Sequence, residues 1–177
     1  MEDGLRHGRV VSEKPYRPNV GIALFSRAGL VWAGKGRSAG PEIVEAGFEW
    51  QMPQGGVEPG EEIVAAARRE LAEETGARTV APLAVTGDWL PYDFPPYAGP
   101  PHRLCEWRGQ TQRWVAFRFL GDESEFDLSR LNEGDPPEFA EWAWLPLADL
   151  PAIVTPHKRA TYEVVARAFA RFAGPAP

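Results

Sequence analysis

The sequence predicts an α/β fold with a mixed β-sheet sandwiched between α-helices, and three observations predict it. Short runs rich in Val, Ile, Leu and aromatic residues recur along the chain. Two longer segments carry apolar residues at helical spacing. Strands and helices follow one another in an irregular order, which suits helices laid on a mixed sheet.

Taken in order, residues 20–25 and 30–33 read as strands joined by the turn Ser26-Arg27-Ala28-Gly29, a hairpin signal. Residues 48–52 resemble a short strand ending at Pro53. Residues 54–60 hold three glycines and a proline, which break both periods and predict a loop. That loop feeds a helix over 61–75. Glu61 and Glu62 suit its positive end and Gly76 its C-terminal cap. Val64, Ala67, Leu71 and Thr75 form its expected buried stripe.

Further strands are expected at 80–89, 103–107, 112–119 and 142–145. Residues 91–101, with five prolines and three aromatics, read as a stiff surface loop. The polar, acidic stretch 121–138 reads as another loop, where binding groups often sit. A last helix over 158–172 presents Tyr162, Val165, Phe169 and Phe172 on one face. Trp89, Trp107 and Trp114 offer either stacking surface or core.

With 177 residues and no internal repeat, a single domain over residues 16–173 is expected, with flexible termini at 1–15 and 174–177. Hydrophobic residues at 44% and charged ones at 25% are ordinary globular usage. No apolar run approaches the roughly 18 residues of a membrane span, and the first residues lack a signal peptide's apolar core. A cytoplasmic protein without a membrane partner is expected. Cys105 is the only cysteine, so neither an internal disulfide nor a multi-cysteine metal site is available. The net charge of −6 argues against a surface that coats DNA or RNA by counterion release. An RNA substrate would be gripped at one local spot.

Glu70, Glu73 and Glu74 stand at i, i+3 and i+4 of the first helix and share a face. Three adjacent carboxylates repel one another, so either a cation sits among them or the face is solvated. Hard oxygen donors suit Mg²⁺ or Mn²⁺, bound through a few carboxylates with substrate phosphates and water. Arg69 can bond Glu73 at i+4 and hold that carboxylate in position.

The run GGVEPGEEIVAAARRELAEETGA, over residues 55–77, resembles the Nudix box. The matched positions are Gly55, Glu61, Arg69, Glu70, Leu71, Glu73, Glu74 and Gly76, with Ala77 standing where that family usually has a larger aliphatic residue. The resemblance implies the Nudix fold. It also implies that Glu70, Glu73 and Glu74 bind Mg²⁺ or Mn²⁺, that Gly55, Glu61 and Arg69 support them, and that a carbonyl near Gln54 or Gly55 adds a ligand. The implied reaction is hydrolysis of a phosphoanhydride bond, in which cations neutralise non-bridging oxygens and activate water. The implied general base is Glu70 or Glu138.

Five flanking blocks, YRPNVGI from Tyr16, WQMPQGG from Trp50, GQTQRWVAFRF from Gly109, PEFAEWAWL from Pro137 and PHKRATYEVV from Pro156, resemble a narrower branch. It contains bacterial RNA pyrophosphohydrolases and plant-type diadenosine tetraphosphate hydrolases. The branch implies Glu138 as a further metal-binding glutamate, Lys158 and Arg159 as phosphate-contacting cations, and Arg17 as a cation at the substrate mouth. His157 stands where relatives carry a base-stacking Phe or Tyr, and Met52 replaces a frequent Phe. The expected substrate is an RNA 5′-triphosphate end or a dinucleoside polyphosphate. Sanitising nucleoside triphosphatases and ADP-ribose pyrophosphatases share the box, but the flanking blocks argue against both. A catalytically silent nucleotide-sensing module has no need for the intact glutamate set.

Overall fold

In the computed structural model of the chain, the described residues are 14–129 and 136–175. Of the flexible ends expected at 1–15 and 174–177, residues 1–13 and 176–177 lie outside them, as do residues 130–135 of the acidic loop expected over 121–138.

Strand β1 (Tyr16–Phe25) carries the period-2 alternation on which both layers are built. Val20, Ile22 and Leu24 point to one face of the sheet, and Ala23 and Phe25 to the other. β1 runs parallel to β7 (Gly109–Phe119) along its whole length, from Tyr16 opposite Gly109 to Phe25 opposite Arg118. It also pairs antiparallel with β2 (Val31–Gly36) through Phe25 and Val31, beyond the hairpin expected at 26–29. β2 pairs with β3 (Trp50–Gln51) and with β8 (Phe139–Leu145). The other edge of β7 takes β5 (Val80–Val85) and β6 (Leu90–Asp93), both antiparallel.

Helix α1 (Ile63–Thr75) covers the first face, packing Ala66, Ala67 and Leu71 on Val20, Ile22, Leu24, Val115 and Phe117. Helices α2 (Leu150–Ile153) and α3 (Arg159–Phe169) cover the second, packing Leu150, Tyr162, Val165 and Phe169 on Ala23, Phe25, Trp114 and Ala116. Each large side chain taken out of water here contributes about 1.5–3 kcal/mol. The expected mixed sheet between helices is therefore the architecture.

Several elements differ from their sequence expectation. Residues 54–60 do not all form a loop: Gln54–Gly56 is strand β4, antiparallel to Asn19–Gly21 of β1. Glycines break a side-chain period, but their extended backbones still pair. Helix α1 begins at Ile63, because Glu62 is its N-cap and accepts a bond from the Ala65 N–H at 3.0 Å. Neither Glu61 nor Glu62 lies in the first turn. At the other end Gly76 takes φ 86° and donates to the Ala72 carbonyl at 3.1 Å, the left-handed cap that glycine adopts at least cost.

Residues 103–107 are not a strand. Both edges of β7 are occupied, and Arg103–Glu106 forms a 3-10 turn capped by the His102 imidazole. β6 falls partly inside the expected surface loop, since Pro91 is tolerated on an edge strand. The described part of the acidic stretch folds onto an aromatic group, with Phe126 4.6 Å from Trp142 and 4.9 Å from Phe119 between ring centroids. Trp114 is wholly buried beneath Tyr162, Trp107 is half-buried and Trp89 is exposed. Among the described residues no helix is long and apolar enough to cross a membrane.

Candidate active site

β4 and α1 meet side by side and set the first wall of the site. The Glu70 carboxylate lies directly against the Cα of Gly55, where any Cβ would collide with it. Glycine at 55 is required by that close approach, not by an unusual backbone angle. The neighbouring Gly56 is covered by the Arg17 guanidinium from β1. Glu74 accepts the Gln54 backbone N–H at 3.1 Å. Glu73 projects outward and is exposed.

Arg69 ties this wall together. Its Nε and Nη2 donate to both oxygens of Glu61 at 2.9 and 2.8 Å, Nη1 donates to Glu70 at 2.7 Å, and Nη2 reaches the Gly56 carbonyl at 2.9 Å. The bond to Glu73 expected from the i+4 spacing is the longest of the set, at 3.5 Å. The planar guanidinium prefers the two-point pairing that Glu61 offers. Arg69 holds the Glu61 carboxyl down at a pKa of about 2, helped by the Glu58 N–H.

Beneath β4 runs a buried polar chain. Gln112 Nε2 donates to Asn19 Oδ1 and to Gln54 Oε1, both at 2.8 Å, while its own Oε1 accepts from Trp114 Nε1 at 3.1 Å. These bonds fix Gln54, and therefore the amide that holds Glu74.

The opposite wall comes from the segment 37–49, from β6 and from the 3-10 turn Pro156–Lys158. Lys158 is only 2% exposed and pairs with Glu42 at 2.6 Å, so it is not the surface cation that its sequence position suggests. Glu42 also accepts from Tyr92 Oη at 2.5 Å and Gln110 Nε2 at 3.1 Å. Arg159 is half-buried, donating to the Pro151 carbonyl at 3.0 Å with its guanidinium over Phe48. The His157 ring packs against Tyr92 at 5.6 Å.

Sequence reasoning missed Glu42, Tyr92, Gln110 and Gln112. Gln110 and Gln112 stand in or beside the strand expected at 112–119, but nothing local marks them as site residues, and the convergence of all four depends on strand register. Arg103 was also missed: placed by its 3-10 turn, its charge acts on both Arg17 and Glu138.

The electrostatics are dominated by crowded acid. Desolvation, then Glu138 and Glu70, push the Glu74 carboxyl well above its ordinary value. Desolvation also raises Glu70 against the pull of Arg69. Glu138, exposed just before β8, is raised by desolvation first and then by Glu42 and Glu70, against the pull of Lys158 and Arg103. Glu42 behaves oppositely: burial would raise it, but Lys158 and Tyr92 overcome that and hold it below the usual range.

His157 is pushed down to about 4 by burial and by Lys158. An unfolded His titrates near 6.5, so between these values the unfolded chain binds the extra proton. Stability should therefore fall as pH drops from about 6.5 to about 4. His157→Phe should flatten that limb, shown by unfolding midpoints across the range; an unchanged limb would assign it elsewhere.

The donor chemistry fits a hard divalent cation. Glu70, Glu74 and Glu138 supply only oxygen, and desolvation first, then repulsion from neighbouring carboxylates, penalises their charged forms, a penalty a bound cation would relieve. Among the described residues no three acidic, His or Cys side chains close into a complete cation cage. Mg²⁺ commonly takes only one or two carboxylates and completes its shell with waters and substrate phosphates, so a partial set suffices.

Comparison with known proteins agrees with this architecture. Residues 15–167 match the model of the NUDIX domain. The chain is 48% identical over 164 residues to a protein of Azorhizobium caulinodans named RNA pyrophosphohydrolase, covering 92% of this chain and 97% of that one. It is 47% identical over 156 residues to the RNA pyrophosphohydrolase of Brucella anthropi, covering 88% and 90%. Among solved structures, a Nudix hydrolase from Nitrosomonas europaea superposes with a TM-score of 0.57 at 18% identity, covering 90% of this chain and 93% of that one. A C. elegans Ap4A hydrolase complex gives 0.55 at 18% identity, covering 86% and 98%, a likeness of fold. With the matched domain spanning most of its length, the chain belongs to the Nudix hydrolase family.

Proposed function

We propose that the chain hydrolyses a phosphoanhydride bond in 5′-polyphosphorylated nucleotides, with the 5′-triphosphate end of RNA as its substrate. The observation that carries the reading is the desolvated Glu74, held by the Gln54 amide with Glu70 and Glu138 acting on it, beside a glycine strand that lets the Glu70 carboxylate and the Arg17 guanidinium pack directly on its backbone. The choice of RNA is supported by relatives of that name, 44% to 48% identical over about nine-tenths of the chain.

In this reading Glu70, Glu73, Glu74 and Glu138 hold Mg²⁺, with Mn²⁺ as a substitute. Bound there, the cation supplies charge neutralisation at the phosphate oxygens and lowers the pKa of water. The chain's own residues do the rest. Arg69 locks Glu61 and Glu70 in one orientation, and Gln54 N–H does so for Glu74. Arg17, over Gly56, offers a cation to the phosphate chain. Glu138, exposed and with a raised pKa, is suited to take the proton of the attacking water. His157 and Arg159 shape the wall beside the leaving nucleotide, and Lys158 lies behind them.

The test offers a 5′-triphosphate RNA and diadenosine tetraphosphate at equal concentration with Mg²⁺, and again with a chelator. Pyrophosphate or phosphate with a monophosphorylated RNA end is expected, and chelation should abolish it. Preferential ATP and AMP would make the dinucleoside polyphosphate the substrate. Turnover that survives chelation would remove the metal assignment.

A further inference from the structure

The Lys158 ammonium has three donors and spends them in the interior. One meets Glu42 at 2.6 Å, one meets Gln51 Oε1 at 3.0 Å, and the group lies 5.7 Å from the centre of the Tyr92 ring. Glu42 is brought to it by the segment between β2 and β3, which the Ala39–Glu42 backbone pair and the Ser38–Val44 bonds hold folded. Burying an ion pair is expensive, and such pairs are often no better for stability than apolar residues of the same size. Stability alone is therefore a weak reason for this one.

The pair's location supplies another. Gln51 lies three residues before Gln54, whose amide holds Glu74, so the ammonium stands behind the acidic wall. Lysine is a compact charge on a flexible stem. Released from Glu42, it would be drawn toward the Glu74 and Glu138 carboxylates. Its charge already acts on Glu74 and Glu138 from where it is held.

We propose that Glu42 is a positioning residue for cation binding: it sequesters the Lys158 ammonium, so that Glu74 and Glu138 keep the negative charge a divalent cation requires. The inference rests on the reading that these carboxylates hold the metal. With Glu42 in place, the pair is a neutral unit and the acid cluster is net negative. Without it, a resident cation competes for the same oxygens.

The experiment measures Mn²⁺ binding to the full chain without substrate, by calorimetry or by the spin-resonance signal of free Mn²⁺. Folding is checked by circular dichroism, and Glu74→Gln serves as control. Glu42→Gln should weaken Mn²⁺ on the order of tenfold, as an added positive charge near the site demands. Lys158→Met should bind Mn²⁺ as tightly as the parent or more tightly, because the competing ammonium is gone. The double variant, neutral at both positions, should return to the parent's affinity.

Damage to the wall would instead weaken binding in both single variants. If Glu42→Gln does not fold, Lys158→Met and the double variant decide, since both must then retain full affinity. Affinity of folded Glu42→Gln equal to the parent's, or loss in Lys158→Met, overturns the proposal. No binding by the parent, or binding untouched by Glu74→Gln, overturns the metal reading itself and this inference with it.

Discussion

Glu74→Gln should reduce kcat for polyphosphate hydrolysis about a thousandfold or more at saturating Mg²⁺. The substitution keeps volume and the bond to the Gln54 amide, since the Gln carbonyl oxygen accepts as well as a carboxylate oxygen does. What it removes is one negative charge at the most desolvated position of the cluster. Each roughly 1.4 kcal/mol of lost transition-state stabilisation is tenfold in rate, so loss of a metal-held charge worth about 4 kcal/mol gives that factor. Relief of crowding among Glu70, Glu74 and Glu138 should meanwhile leave the fold as stable as before, or more so. Turnover near the parent's in a folded Glu74→Gln chain would remove this residue from the metal set.

The second large effect is expected at Arg69. Arg69→Met keeps the stem and deletes the guanidinium that serves Glu61, Glu70 and the Gly56 carbonyl. Those acceptors are left partly buried without their donor, so unfolding stability should fall by about 2 kcal/mol, below the cost of a fully buried pair because the site is partly wet. With Glu61 and Glu70 no longer oriented, kcat/KM should fall on the order of a hundredfold. Arg69→Lys should not rescue it, because an ammonium cannot form the two-point pairing.

The pH dependence supplies an independent readout. Glu61 is held near 2 in the folded chain against an ordinary 4.5. Its contribution is present above about 4.5 and is lost as pH falls toward 2. Arg69→Met should shrink that acid limb in urea unfolding. A variant with unchanged kcat/KM and an unchanged limb would show that Arg69 only decorates the surface.

How far the sequence carries can be judged at particular residues. The helix over 61–75 was legible because Leu71 and Ala67 recur at helical period and Gly76 ends it, all local signals. Glu70, Glu73 and Glu74 were legible as a face for the same reason. The strand at 54–56 was not, since Gly55 and Gly56 carry no side chain for a period to act on and pair only because β1 is there. The turn at 103–106 was misjudged as a strand because propensity is local, while the vacancy of a sheet edge is not.

The same division runs through the site. By itself the sequence determined the mixed α/β class, the position of the acidic helix, the glycine loop that became β4, and membership in a family of phosphoanhydride hydrolases. Each is written in short-range spacing, which sets how a side chain projects from its own element. Only the tertiary structure decided that Arg69 serves Glu61 before Glu73, that Lys158 turns inward to Glu42, and that Gln112 underpins Gln54. Those partners lie 8, 116 and 58 residues apart in the chain. For the two longer separations, sheet register and the packing of helices on its faces bring them within bonding distance. The choice among competing acceptors then follows from burial, which no local pattern records.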